Sequence, residues 1–242
     1  MDQVVQARGG ASVSQTNHVG SAYILTYHVG APISVKPVLI YHYDTANYNY
    51  IEINGNRLPI SKREIDLSKK ITNLDIKDIG IASGTVPNDR ERIVLFHIGN
   101  PTKNMPHQGK ATYLGSSWII MVENKNAYSL QGQTLLTADF FTKELNGLLR
   151  FKDIKPIRIS ANINHNNFTG NAYSNSLEVD AKVEGSFYGN NAASIAGIMK
   201  SDRLDHNVGW FGVFSGVKEK HLTPEGFDVT EALKHLPRKP IK

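Results

Sequence analysis

Ile157-Arg158-Ile159-Ser160-Ala161-Asn162-Ile163 decides the fold, because apolar side chains fall on every second residue with polar ones between them. Successive side chains of a β-strand point to opposite faces, so this run buries one face and wets the other. Seven further strand-like runs surround it: 111–121, 134–141, 145–151, 168–173, 177–187, 193–200 and 210–217. Their spacing is that of meanders and barrels. Eight antiparallel strands can close on themselves and remove their edges, so an eight-stranded antiparallel β-barrel is expected here. After it, Thr223-Pro224-Glu225 to His235 reads as one short helix with Asp228 as N-cap, before a basic tail.

The residues before Gly109 carry a looser pattern of short β-branched and aromatic runs between turn residues. Strands are predicted over 23–27, 38–43 and 93–98. Asn54-Gly55-Asn56 between Ile51-Glu52-Ile53 and Arg57-Leu58-Pro59-Ile60 supplies the positive φ angles of a tight hairpin. Gly99-Asn100-Pro101 stops the apolar run of Ile93 to Ile98, and Thr102 to His107 reads as a loop with two prolines. The expected organisation is therefore mainly β, with a small N-terminal β-rich ligand-binding domain (1–106) and a C-terminal barrel with a short tail (107–242).

Composition narrows the function classes. Cysteine is absent, which excludes disulfides, thiolate nucleophiles, Cys-based zinc sites and a cysteine-borne lipid anchor on this chain. No apolar run approaches the roughly 20 residues of a membrane helix. The formal charge is +5, but the Lys and Arg residues are scattered and make no stripe, which argues against nucleic acid. Met1-Asp2-Gln3-Val4-Val5 has neither a basic n-region nor an apolar h-region, so a secretory signal is missing there or has been removed. No nucleophile elbow, Walker loop, zinc-protease helix or dinucleotide fingerprint is present, so no enzyme is expected. Asp75 with Asp78, and Asp89 with Glu91, are read as solvated carboxylates in loop-like stretches.

The C-terminal half carries an ordered set of motifs. Gly109-Lys110-Ala111-Thr112-Tyr113-Leu114-Gly115 precedes Thr137-Ala138-Asp139-Phe140, Leu145-Asn146-Gly147-Leu148-Leu149 and Phe168-Thr169-Gly170-Asn171-Ala172. Gly185-Ser186-Phe187-Tyr188-Gly189, Ile195-Ala196-Gly197 and Gly212-Val213-Phe214-Ser215-Gly216 follow. Over 109–218 this set resembles the barrel of the transferrin-binding protein B-like family, whose members leave the cell with help from surface lipoprotein assembly modulators. As barrel construction, Gly189 and Gly197 are expected to relieve crowding at tight turns, and Phe140, Phe168, Phe187 and Phe214 to fill the lumen. The missing cysteine places the chain beside the soluble members, among which it resembles the hemophilin-type haem carriers.

That resemblance implies a secreted, extracellular, monomeric haem-binding protein of a Gram-negative bacterium, a hemophore carrying haem b to an outer-membrane haem receptor. Without cysteine, the iron ligand is His, Met or Tyr. His97 is the first candidate, since it follows the apolar run Ile93 to Phe96 and precedes a Gly-Asn-Pro turn; its other reading is a core histidine bonded to the protein. Phe96, Tyr27 and Tyr41 are candidates for the pocket wall, His42 for the ligand itself or the opposite-face group, and His107 for the open face of the iron. Lys36, Arg57, Arg63 and Arg92 are candidates for propionate contact. A host-protein-binding module without haem, of the transferrin or complement-regulator type, is the competing expectation, with the tyrosine-rich strands as its interface. A small-ligand carrier using the lumen is a third, opposed by the four phenylalanines.

Overall fold

A computed structural model describes residues 3–6, 20–27, 33–42, 50–53, 56–59, 76–86, 90–205 and 207–219. Every described regular element is a β-strand. The strands before the barrel are β1 Gln3–Gln6, β2 Gly20–Tyr27, β3 Ser34–His42, β4 Tyr50–Ile53, β5 Asn56–Pro59, β6 Ile76–Val86 and β7 Arg90–Gly99. The barrel strands are β8 Lys110–Glu123, β9 Asn126–Asp139, β10 Glu144–Phe151, β11 Ile157–Asn164, β12 Asn167–Tyr173, β13 Ala181–Tyr188, β14 Ser194–Ser201 and β15 Val208–Lys218. They close in chain order, with β15 returning to β8. The expected mainly β architecture with an eight-stranded antiparallel barrel is what the chain adopts, while the expected helix over 223–235 lies outside the described residues.

Period-two burial makes the lumen. Along β11, Ile157, Ile159, Ala161 and Ile163 are buried, and Ser160, Asn162 and Asn164 between them are exposed. Rings fill the centre: Phe187 lies 5.7 Å from Phe168 and 5.9 Å from both Phe140 and Tyr113, and Phe168 lies 6.1 Å from Phe214. All five are buried, and Tyr113 donates its hydroxyl proton to the Ala192 carbonyl at 2.7 Å. Two glycines make room for these rings. Gly185 and Gly197 face each other across β13 and β14, and a Cβ on Gly197 would come within 2.6 Å of the Phe214 ring. Gly197 is therefore a mid-strand residue and not the turn glycine expected from sequence, whereas Gly189, at φ 75°, does serve a turn.

A five-stranded sheet, ordered β1-β3-β2-β7-β6, lies against the outer wall of the barrel. Leu25, Ile79 and Leu95 of the sheet are buried with Trp118, Ala196, Ile198, Phe211 and Val213, which point outward from β8, β14 and β15. β6 is absent from the sequence reading because glycines and small residues at 80, 82, 83 and 84 dilute its apolar pattern. Pairing with β7 from Ile76↔Gly99 to Val86↔Arg90 orders it regardless, with a bulge beside Asp78. Asp78 and Glu91 thus lie in strands, not in the loops assigned to them. β9 also starts eight residues before its expected beginning, since Asn124 (φ 49°) and Lys125 (φ 67°) form a two-residue turn that continues β8 into β9.

Phe187→Ala removes the ring that touches three others and leaves a cavity, so urea unfolding should show a loss of about 3–5 kcal/mol with an unchanged far-ultraviolet spectrum for the remaining folded fraction.

Candidate functional site: the seam between sheet and barrel

β7 alternates like any strand. Leu95 and His97 face the barrel, so Phe96 between them faces away. On the adjacent strand β2, Ser21, Tyr23 and Leu25 share the barrel-facing side, and Ser21 sits opposite His97 in register. Across the seam, the outward residues of β13 are Glu184, Ser186 and Tyr188, two residues apart. A polar row from the sheet therefore meets a polar row from the barrel beside an otherwise apolar contact.

The hydrogen bonds of this seam form one directed chain. Tyr23 donates its hydroxyl proton to Glu184 Oε2 at 2.9 Å. Ser21 is a second donor to the Glu184 carboxylate, which leaves its oxygen to accept from His97 Nε2 at 2.9 Å. His97 Nδ1 then accepts from the Tyr188 hydroxyl at 2.5 Å. Burial raises the Tyr188 phenol well above its ordinary range and keeps it protonated, as a donor must be. Burial also raises Glu184, against the lowering effect of the Tyr23 and Ser21 bonds.

The loop after β7 is sewn onto the same end of β13. Thr102 donates its backbone N–H to Phe187 O at 2.9 Å and its hydroxyl proton to Gly189 O at 2.8 Å. The Gly189 N–H donates in turn to Asn100 O at 2.8 Å. His97 is consequently fully buried.

These placements bear on each residue expected at the haem site. His97 does not project into an open pocket, and both ring nitrogens are engaged, so its lone pair belongs to the Tyr188 proton and not to an incoming metal. Phe96 cannot share a slot with it, because the two side chains lie on opposite faces of the sheet. Tyr27 stands at the far end of β2 from Ser21, and Tyr41 and His42 lie on β3; the side chains of these three are outside the described residues. His107 is exposed in the loop before β8. Lys36 is exposed on β3, Arg57 and Arg92 lie on β5 and β7, and Arg63 falls outside the described residues. A pocket of about 340 Å³ lies elsewhere, on the outer wall, and its lining of Thr112, Leu114, Gly115, Gln133, Thr134, Leu135, Arg150 and Glu219 offers no imidazole, thioether or phenol. The residues around His97 do not fit a haem.

With a ring-filled barrel of eight strands and a sheet on its wall, the fold can be compared with known proteins. Residues 105–218 match the family of C-lobe and N-lobe β-barrels of Tf-binding protein B. That barrel accounts for β8 to β15. An uncharacterised protein of Haemophilus influenzae is 31% identical over 134 residues, which are 54% of this chain and 45% of the relative, so the chain spans under half the length of that relative. Transferrin-binding protein B of Haemophilus parasuis, solved as a single-residue mutant, has the same fold at 21% identity and a TM-score of 0.58, over 86% of this chain and 47% of that one. The haemoglobin receptor HpuA of Kingella denitrificans has it too, at 16% identity and a TM-score of 0.53, with 99% of each chain covered.

Ser21, Glu184 and Tyr188 escaped the sequence reading: Tyr188 lies in the Gly-Ser-Phe-Tyr-Gly motif, which reads as barrel construction, and Ser21 and Glu184 meet His97 and Tyr23 only through long-range contacts. The available signal was alternation: with Phe187 inward, Glu184 and Tyr188 must both point outward.

His97→Phe removes both bonds and leaves the buried Tyr188 hydroxyl without its acceptor, which should cost about 1–3 kcal/mol in urea unfolding. Glu184 sets a pH dependence. Its proton affinity is higher folded than unfolded, so its penalty is absent below the ordinary value of 4.5 and grows as pH rises through the raised folded value. Glu184→Gln keeps an acceptor for Tyr23 without the charge, and its melting temperature should fall less than that of the parent as pH is raised above 4.5.

Proposed function

We propose that this chain is a non-catalytic binding lobe, exposed outside a Gram-negative cell, that grips a host iron-carrying protein through its outer surface. The observation that carries the reading is the filled interior. Rings occupy the lumen, the sheet seals one side of the wall, and the His97 lone pair is taken, so among the described residues a partner has only the exterior to hold. Iron, or haem where the partner carries it, then reaches the chain inside the captured protein rather than as a free cofactor.

The likeness to transferrin-binding protein B and to a haemoglobin receptor supports this class of partner, with transferrin and haemoglobin as the candidates to test. In such a role, an outer-membrane receptor would take the cargo onward and a surface lipoprotein assembly modulator would bring the lobe to the surface.

The immobilised chain, exposed to human transferrin, human haemoglobin and free hemin, should bind one of the two proteins reversibly and give no Soret shift with hemin. A stoichiometric Soret band with hemin that persists in His97→Ala would overturn the proposal, and would assign the iron ligand to another histidine or tyrosine of the N-terminal half.

A further inference from the structure

The barrel closes along only part of its height. β8 and β9 pair over their full length, from Lys110↔Asp139 to Glu123↔Asn126. β10 is shorter and leaves β9 at Phe151↔Gly132. On the other side, β15 accompanies β8 to its last residue through Val208↔Glu123. Asn126 to Gln131 of β9 therefore pair with β8 alone, and among the described residues no strand lies along their second side.

Three features make this free edge a template for pairing. It is open, since Asn126, Ala127, Tyr128, Ser129 and Gln131 are exposed and Leu130 is partly so. It is regular, since the register with β8 runs without a bulge. It is held in place, since Trp118 Nε1 donates to Ser129 Oγ at 2.5 Å and the Asn124 N–H donates to Asn207 O at 2.9 Å. Strand edges in soluble proteins are usually blunted by Lys, Pro or a bulge. Asn126-Ala127-Tyr128-Ser129-Leu130-Gln131 contains none of these.

We propose that this edge accepts an extended segment of the bound protein as an added antiparallel strand. The inference rests on the binding-lobe reading above and names the place where the partner is held. Main-chain hydrogen bonds would supply attraction along the six residues, and alternate side chains the selectivity. Tyr128, 47% exposed, sits opposite Met121 and two residues from Leu130, so one face of the added strand meets an apolar stripe. The partner segment is therefore extended and proline-free, with aliphatic or aromatic side chains at two alternate positions and small or polar ones opposite Ala127 and Ser129. A second copy of this chain fits less well as occupant, because a dimer held by six residues of strand pairing alone falls short of the roughly 1,200–2,000 Å² buried in stable interfaces, whereas a larger bound protein adds contacts elsewhere on the exterior.

Hydrogen exchange on the full chain, alone and with human transferrin or human haemoglobin, tests this. In the bound state the amides of Asn126 to Gln131 should gain protection, and Ala127→Lys with Gln131→Lys should weaken binding by about tenfold or more while circular dichroism stays unchanged. Binding with neither effect overturns the edge assignment and leaves the binding-lobe reading standing. Failure to bind either protein overturns both. Edge protection in the free chain that rises with its concentration, together with a dimer in sedimentation, replaces the host segment with a second copy.

Discussion

Closure of eight strands around a lumen packed with aromatic rings is the constraint from which the rest follows. Once Phe187 and its neighbours take the inward positions, every intervening residue must face outward, including large apolar ones such as Trp118, Phe211 and Val213. Those residues need cover, and the N-terminal sheet supplies it. The second core is thus a consequence of the first, since the small sheet covers the apolar wall that the barrel presents.

A polar seam inside an apolar contact has a cost that its bonding must offset. Here Tyr188, His97, Ser21, Glu184 and Tyr23 satisfy one another in sequence and end on a carboxylate. Such a chain tolerates little loss, since removal of one member strands the next. It also fixes how the sheet sits: Ser21 and His97 are in register on neighbouring strands, and only one placement sets them against Glu184 and Tyr188. The seam therefore specifies docking of the sheet, and His97 is bonded within it, as in the core-histidine reading weighed beside metal ligation.

The exterior has two unlike regions. Over most of its height the barrel offers no free strand edge, because β10 and β15 flank the β8–β9 pair. Where that hairpin outruns β10, the backbone of β9 presents its second side. The difference in length between neighbours, 14 residues against 8, creates this edge, and the neutral residues along it leave it unprotected. A filled barrel with this open edge is suited to holding an extended chain.

Most of the barrel was legible in the sequence, because burial of one face writes itself as a period of two: Ile157, Ile159, Ala161 and Ile163 showed a strand and its inward side before any coordinates. The phenylalanines of the lumen were legible for the same reason. β6 was not, since its order comes from pairing with β7 and not from its own glycine-rich composition. The role of His97 was also beyond the sequence. Alternation along β7 opposes it to Phe96, but which groups approach its two nitrogens depends on Ser21, 76 residues away, and Tyr188, 91 residues away. Local chemistry determines which face a side chain takes, while only the docking of sheet on barrel decides what that face meets.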